Sequence, residues 1–239
     1  MLPELPEVVD RAILLTHVLA GCLTLLSGFA SMWTDKGGKN HRRWGKVFFW
    51  SMFTIFITSL GTIFLFRFNP FLLGVNILSF YVTFTGYRVT YRKRGANGQN
   101  ANWIDWTAVG LATIGGIFLI IWGAMVMLGY TEIAWSPTFG ILGIVLGFFI
   151  LQNAIIEDAR AFRRPVADRR WWWYYHMERM LSGMIGAVTA LTVQQLGSLA
   201  VLGNFSWIPW VLPGVIGGFG IAYWIRLYRR RFATARKRA

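Results

Sequence analysis

Apolar runs of about 20 residues recur along the sequence, and they constrain the fold more than any other feature. Each run is long enough to cross a hydrocarbon core of roughly 30 Å as a helix. Only 14% of the 239 residues are charged, against roughly 25% in an ordinary soluble domain. The pattern predicts an all-α polytopic membrane protein that forms one domain over residues 1–239. Seven transmembrane helices are predicted, at residues 11–33, 45–66, 70–89, 104–129, 138–157, 172–201 and 206–227.

Basic residues are concentrated in every second segment between the apolar runs. The sequence contains 24 Lys and Arg against 10 Asp and Glu. When segments 35–46, 88–105, 157–179 and 226–239 are placed on one side, that side receives 22 of the 24 basic residues. By the positive-inside rule this side is cytoplasmic, which puts the amino terminus outside and the carboxyl terminus inside. Anionic lipid headgroups are therefore the predicted partner of the basic charge, and nucleic acid is not.

The three histidines differ in their predicted depth in the membrane. His17 lies about two turns inside the outer end of the first span, where a hydrogen-bonded packing role is favoured over proton transfer or ligand binding. His41 precedes the second span, and His176 lies about one turn inside the sixth. Both His41 and His176 are therefore predicted at the cytoplasmic face.

Acidic residues are predicted at the same face as His41 and His176. Asp105 begins the fourth span, and Glu157 and Asp158 end the fifth. Two imidazoles and several carboxylates are suitable ligands for zinc or another divalent ion. We therefore predict either a metal site of His41, His176, Asp158 and Glu157 or a proton-handling role for these groups. The alternative is that the acids only form ion pairs with nearby arginines.

Two cofactors are disfavoured by the sequence. A retinal protein requires a lysine in its last span, and residues 206–225 contain none. A bis-histidine haem between His17 and His176 requires similar depths. At about 1.5 Å per residue, His17 lies roughly 25 Å from the cytoplasmic end of its helix and His176 only about 6 Å from its own. Hydrolase and nucleotide-binding motifs are absent from the sequence, so no catalytic residue is assigned.

The most specific local pattern is Gly-Gly-x-x-His-Arg-x-x-Gly at residues 37–45. Further segments are THVLAG at 16–21, LSFYVTFTGYR at 78–88, HMERMLSGMIGAVTALTV at 176–193 and WVLPGVIG at 210–217. Together they resemble an uncharacterised family of bacterial multi-pass membrane proteins, a domain of unknown function. The resemblance implies a bundle of about seven helices in the bacterial inner membrane, and it implies no activity.

Two other functions remain open from the sequence. Short loops and many Phe and Trp residues indicate a structural or accessory subunit of a larger membrane complex, of the electron-transfer or photosynthetic kind. Polar stripes at helical spacing, from Ser51 to Thr62 and from Asn76 to Tyr87, indicate a small-solute transporter. Hydrogen bonding between helices is the alternative explanation of these stripes. A ridge of small residues that includes Gly183 predicts close helix packing in the sixth span.

Overall fold

A computed structural model of the chain describes residues 5–92, 101–131, 135–163, 170–196, 205 and 207–238. Over these residues the protein has seven long helices and no β-strand, which confirms the all-α prediction. The helices are α1 (Leu5–Trp33), α2 (Lys39–Leu65), α3 (Pro70–Arg88), α4 (Trp103–Leu128), α5 (Pro137–Leu151), α6 (Trp171–Leu196) and α7 (Ile208–Arg238). A short 3₁₀ turn, Val89–Tyr91, extends α3, and a π-helical segment, Gln152–Ala159, extends α5.

Six helices of the described part, α1 to α5 and α7, are long and apolar enough to cross a membrane. These six helices support the prediction of a multi-pass membrane protein. Helix α6 has 26 residues but is more polar, since it carries His176, Glu178 and Arg179 near its start. It packs against α1, α3 and α7. A seventh span stays a prediction, and residues 197–201 at its predicted end and residue 206 at the start of the next lie outside the described residues.

The turn between α1 and α2 places His41 inside a helix. Helix α2 begins at Lys39, so His41 lies in its first turn rather than in a segment ahead of it, as the sequence had predicted. Gly37 in the turn has a φ of +80°, a left-handed conformation that favours glycine. Lys36 Nζ lies 3.3 Å from the main-chain oxygen of Ser31 and satisfies a carbonyl at the end of α1. The turn therefore brings the start of α2 against the end of α1.

The buried apolar residues form two clusters between different sets of helices. The first joins α3, α4 and α5 around Phe71, Leu119 and Ile150. The second joins α2 and α6 around Phe48 and Met184, with partly buried residues of α1 packed against it. Because α3 belongs to the first cluster and contacts both α2 and α6, it connects the two clusters.

The small residues of α6 face α3, as a close-packing ridge requires. A Cβ atom added to Gly183 would lie 2.2 Å from Thr83 Oγ1, and one added to Gly186 would lie 2.8 Å from Ser79 Oγ. A side chain at either glycine would require Thr83 or Ser79 to shift, so the two helices approach closely at these points. Ser79 and Thr83, which belong to the polar stripe of α3, therefore pack against α6.

Candidate functional site

The structure brings His41 of α2 and His176 of α6 together. Their ring centres are 6.2 Å apart and their planes are nearly perpendicular, at 81°. Nδ1 of His41 lies 2.9 Å from the main-chain oxygen of Ser31, and Nδ1 of His176 lies 2.7 Å from that of Gly86. A carbonyl oxygen only accepts, so Nδ1 carries the proton in both rings. In the neutral imidazoles the lone pair is therefore on Nε2.

Close contact between α3 and α6 sets the position of His176. A Cβ atom on Gly86 would lie 2.6 Å from Cβ of Arg179 and 3.2 Å from the main-chain nitrogen of Met180. The two backbones therefore meet at the level of the Gly86 oxygen that accepts from His176. A larger residue at position 86 would force α6 away and lengthen this hydrogen bond.

Both imidazoles line a cavity of about 720 Å³ near the starts of α2 and α6. Sites that bury small molecules typically occupy roughly 300–1,000 Å³. The cavity wall is rich in aromatic and methionine side chains, from Tyr87, Tyr91, Trp172, Trp173, Trp224, Tyr228, Met32, Met177, Met180 and Met184. No Asp or Glu is among the described residues that line it. The wall suits a largely apolar ligand.

Three cationic side chains, Lys36, Arg42 and Lys46, complete the lining. All three are exposed, whereas Phe48 and Met184 of the same cavity are buried. Partial burial lowers the pKa of Lys36, and the nearby Asp35 carboxylate opposes this shift. An anionic group beside Lys36 would stabilise its charged form. The cavity therefore combines an apolar interior with a cationic exposed side.

Asp158 and Glu157, which the sequence grouped with the histidines, have contacts of their own. Asp158 is fully buried and accepts hydrogen bonds from the hydroxyls of Tyr81 and Tyr175. Arg179 Nη2 lies 3.3 Å from Asp158 Oδ1 and 3.0 Å from Glu157 Oε2. The guanidinium also lies over the Tyr175 ring, 4.7 Å from its centre. These residues form an ion-pair network that links α3, α6 and the π-helical segment.

The π-helical segment presents its polar residues to a single guanidinium. Asn153 Oδ1 accepts a hydrogen bond from Arg179, as the Glu157 and Asp158 carboxylates also do. In a π-helix the bonds run between residues five apart, so side chains four and five positions apart share a face. This winding lets all three acceptors reach Arg179. No local pattern in the sequence signals a π-helix, and the sequence-based prediction of a span ending at 157 missed it.

The two remaining polar residues predicted within the membrane also have defined partners. Asp105 accepts from the main-chain nitrogen of Asn102 and lies 3.1 Å from both Nε and Nη2 of Arg88. It therefore caps α4 and forms a bidentate ion pair. Nδ1 of His17 lies 3.0 Å from Oγ1 of Thr58, across the interface of α1 and α2.

The described residues therefore separate the predicted metal ligands into a histidine pair and an acidic pair. Among the residues that the structure describes, no group of three or more His, Cys, Asp or Glu could hold a metal ion. The four-residue metal set stays a prediction. No family model, curated protein or solved structure matches the chain. The resemblance to a bacterial membrane family also stays a prediction.

Proposed function

We propose that the protein is an integral protein of the bacterial inner membrane that binds a metal centre between His41 and His176. The supporting observation is the histidine pair, whose rings are 6.2 Å apart and are each held by a main-chain carbonyl. Metal-ligating histidines commonly donate their other N–H to a carbonyl or carboxylate, which fixes the ring and raises the basicity of the ligating nitrogen. Both His41 and His176 have this arrangement, since Nδ1 of each ring donates to a main-chain carbonyl.

In the proposed topology the site lies at the cytoplasmic face. The chain has seven spans with its amino terminus outside, because this arrangement collects 22 of the 24 basic residues on one side. His41 and His176 both lie near helix starts on that side. A bound centre would then lie close to the cytoplasm rather than in the middle of the bilayer.

Asp158 and Glu157 have a structural role in this proposal. A buried arginine without a counter-charge would cost several kcal/mol, because its desolvation would be uncompensated. Asp158 and Glu157 supply that counter-charge to Arg179 and hold α6 against the π-helical segment. The metal centre therefore depends directly on the two histidines and only indirectly on the acids. The subunit and transporter alternatives stay predictions.

Elemental analysis of the full chain, purified in mild detergent, tests the proposal. We expect a stoichiometric metal that is lost in both His41→Ala and His176→Ala. His17→Ala is the matched control, since its imidazole contacts Thr58 at a different interface. The proposal would be overturned if the wild type contained no metal, or if the wild type and the three variants contained equal amounts of it.

A further inference from the structure

The separation of the two imidazoles distinguishes between coordination geometries. A metal binds an imidazole nitrogen at about 2.0–2.1 Å, and the ring centre lies about 1.1 Å behind that nitrogen. Two imidazoles on opposite sides of a metal therefore have centres about 6.3 Å apart, whereas two in a tetrahedral site have centres about 5.1 Å apart. The observed separation is 6.2 Å. The distance between the ring centres is therefore closer to the value for a linear nitrogen–metal–nitrogen arrangement than to the tetrahedral value.

We infer that the cavity binds haem, with Nε2 of His41 and Nε2 of His176 as the two axial ligands of the iron. The inference rests on the proposed metal-binding function and names its cofactor. A porphyrin supplies four equatorial nitrogens, so two protein ligands complete a six-coordinate iron. Two histidines on opposite faces of the porphyrin are therefore all the iron ligands that the protein must supply. Asp158 and Glu157 are not required as ligands.

The cavity wall matches the chemistry of a haem. The macrocycle is a flat apolar ring, and the aromatic and methionine side chains of the wall provide apolar contacts for its faces. A haem also has two carboxylate side chains on one edge. Arg42 and Lys46 line the cavity on its exposed side and can pair with those carboxylates, whereas the Lys36 ammonium already donates to main-chain oxygens at the end of α1. The absence of acidic residues from the described lining avoids repulsion of the carboxylates.

His41 and His176 lack the difference in depth that disfavours a haem between His17 and His176. His41 is in the first turn of α2 and His176 in the second turn of α6. At about 1.5 Å per residue, both lie within roughly 8 Å of a helix start. Their ring contact shows directly that their depths match.

Gly45 provides a means of blocking the cavity without disturbing the fold. It lines the cavity one helical turn after His41, and a Cβ atom added to it would meet no other atom within 4 Å. Leucine is also a better helix former than glycine. Gly45→Leu should therefore fold normally while its side chain occupies space that a haem needs.

The test is to produce the full chain with a supply of haem, purify it in mild detergent and record absorption and electron paramagnetic resonance spectra. We expect one low-spin, six-coordinate haem per chain. Nearly perpendicular ring planes predict a strongly anisotropic low-spin ferric signal. His41→Ala, His176→Ala and Gly45→Leu should each reduce haem content at least tenfold, and His17→Ala should leave it unchanged. His41→Met should retain haem with a higher reduction potential, since a methionine ligand raises it.

Thermal unfolding of each haem-free variant shows whether a loss of haem reflects a loss of fold. Folded Gly45→Leu with full haem content would overturn the inference, as would haem bound equally by the His41→Ala/His176→Ala double variant. A stoichiometric metal other than haem iron, lost in both single histidine variants, would overturn the haem inference and leave the proposed function standing. Wild-type protein that binds neither haem nor any metal would overturn both.

Discussion

Replacing Asp158 by alanine removes an acceptor shared by two tyrosine hydroxyls and one guanidinium. Asp158 and Arg179 are both fully buried, so water does not take the place of the lost contacts. Truncating one partner of a buried ion pair typically costs about 3–5 kcal/mol. Glu157 remains 3.0 Å from Arg179 and neutralises part of its charge. We therefore expect Asp158→Ala to lower the free energy of unfolding by about 3 kcal/mol, the lower end of that range.

Two further variants test whether the residues act as one network. Asp158→Asn retains an oxygen that accepts from one tyrosine, so we expect it to cost about half as much, roughly 1.5 kcal/mol. Arg179→Met removes the cation and keeps much of the side-chain volume. Because the two residues are in contact, the double variant Asp158→Ala/Arg179→Met should cost less than the sum of the single variants by about 1–3 kcal/mol. Reversible unfolding in mild detergent measures all four values.

The result that would refute this reasoning is a small or additive effect. A cost of Asp158→Ala below about 1 kcal/mol would mean that the network contributes little to stability. Additivity within about 0.5 kcal/mol would mean that Asp158 and Arg179 are not coupled. Metal content provides an independent check, since folded Asp158→Ala should retain the metal of the wild type. If it loses metal as completely as His176→Ala does, Asp158 is a ligand and the four-residue set predicted from the sequence is favoured.

Two other predictions concern packing and topology. Gly183→Leu should lower the free energy of unfolding by about 1–3 kcal/mol or more, because its side chain would overlap Thr83 of α3. Leu191→Ala on the same helix is the matched control, since Leu191 is 46% exposed and its truncation should change stability by only about 0.5 kcal/mol. Equal thermal stability of the two variants would contradict the packing. A reporter fused to the carboxyl terminus should be active only in the cytoplasm and one fused to the amino terminus only outside. Both termini on one side would mean that the span count is wrong by one.

Properties that depend on local composition could be predicted from the sequence. Six helices that are long and apolar enough to cross a membrane follow from the length and apolarity of single segments, which do not depend on the rest of the chain. The close packing of α6 was predicted for the same reason, because small residues at helical spacing form a ridge wherever the helix lies. The predicted span at 45–66 began later than helix α2 does, because a helix that crosses the membrane can continue beyond the hydrocarbon core.

Properties that depend on how the helices are arranged required the tertiary structure. The sequence placed two histidines and three acids at one face, but only the rotation and order of the helices decide which of them meet. The contact of His41 with His176 joins residues 135 positions apart, and it follows from the packing of α1, α3 and α6. Asp158 instead faces Arg179, because the π-helical segment turns its acids toward α6. Apolar length is a property of each segment alone, whereas a pairing of polar side chains is decided by the packing of several helices.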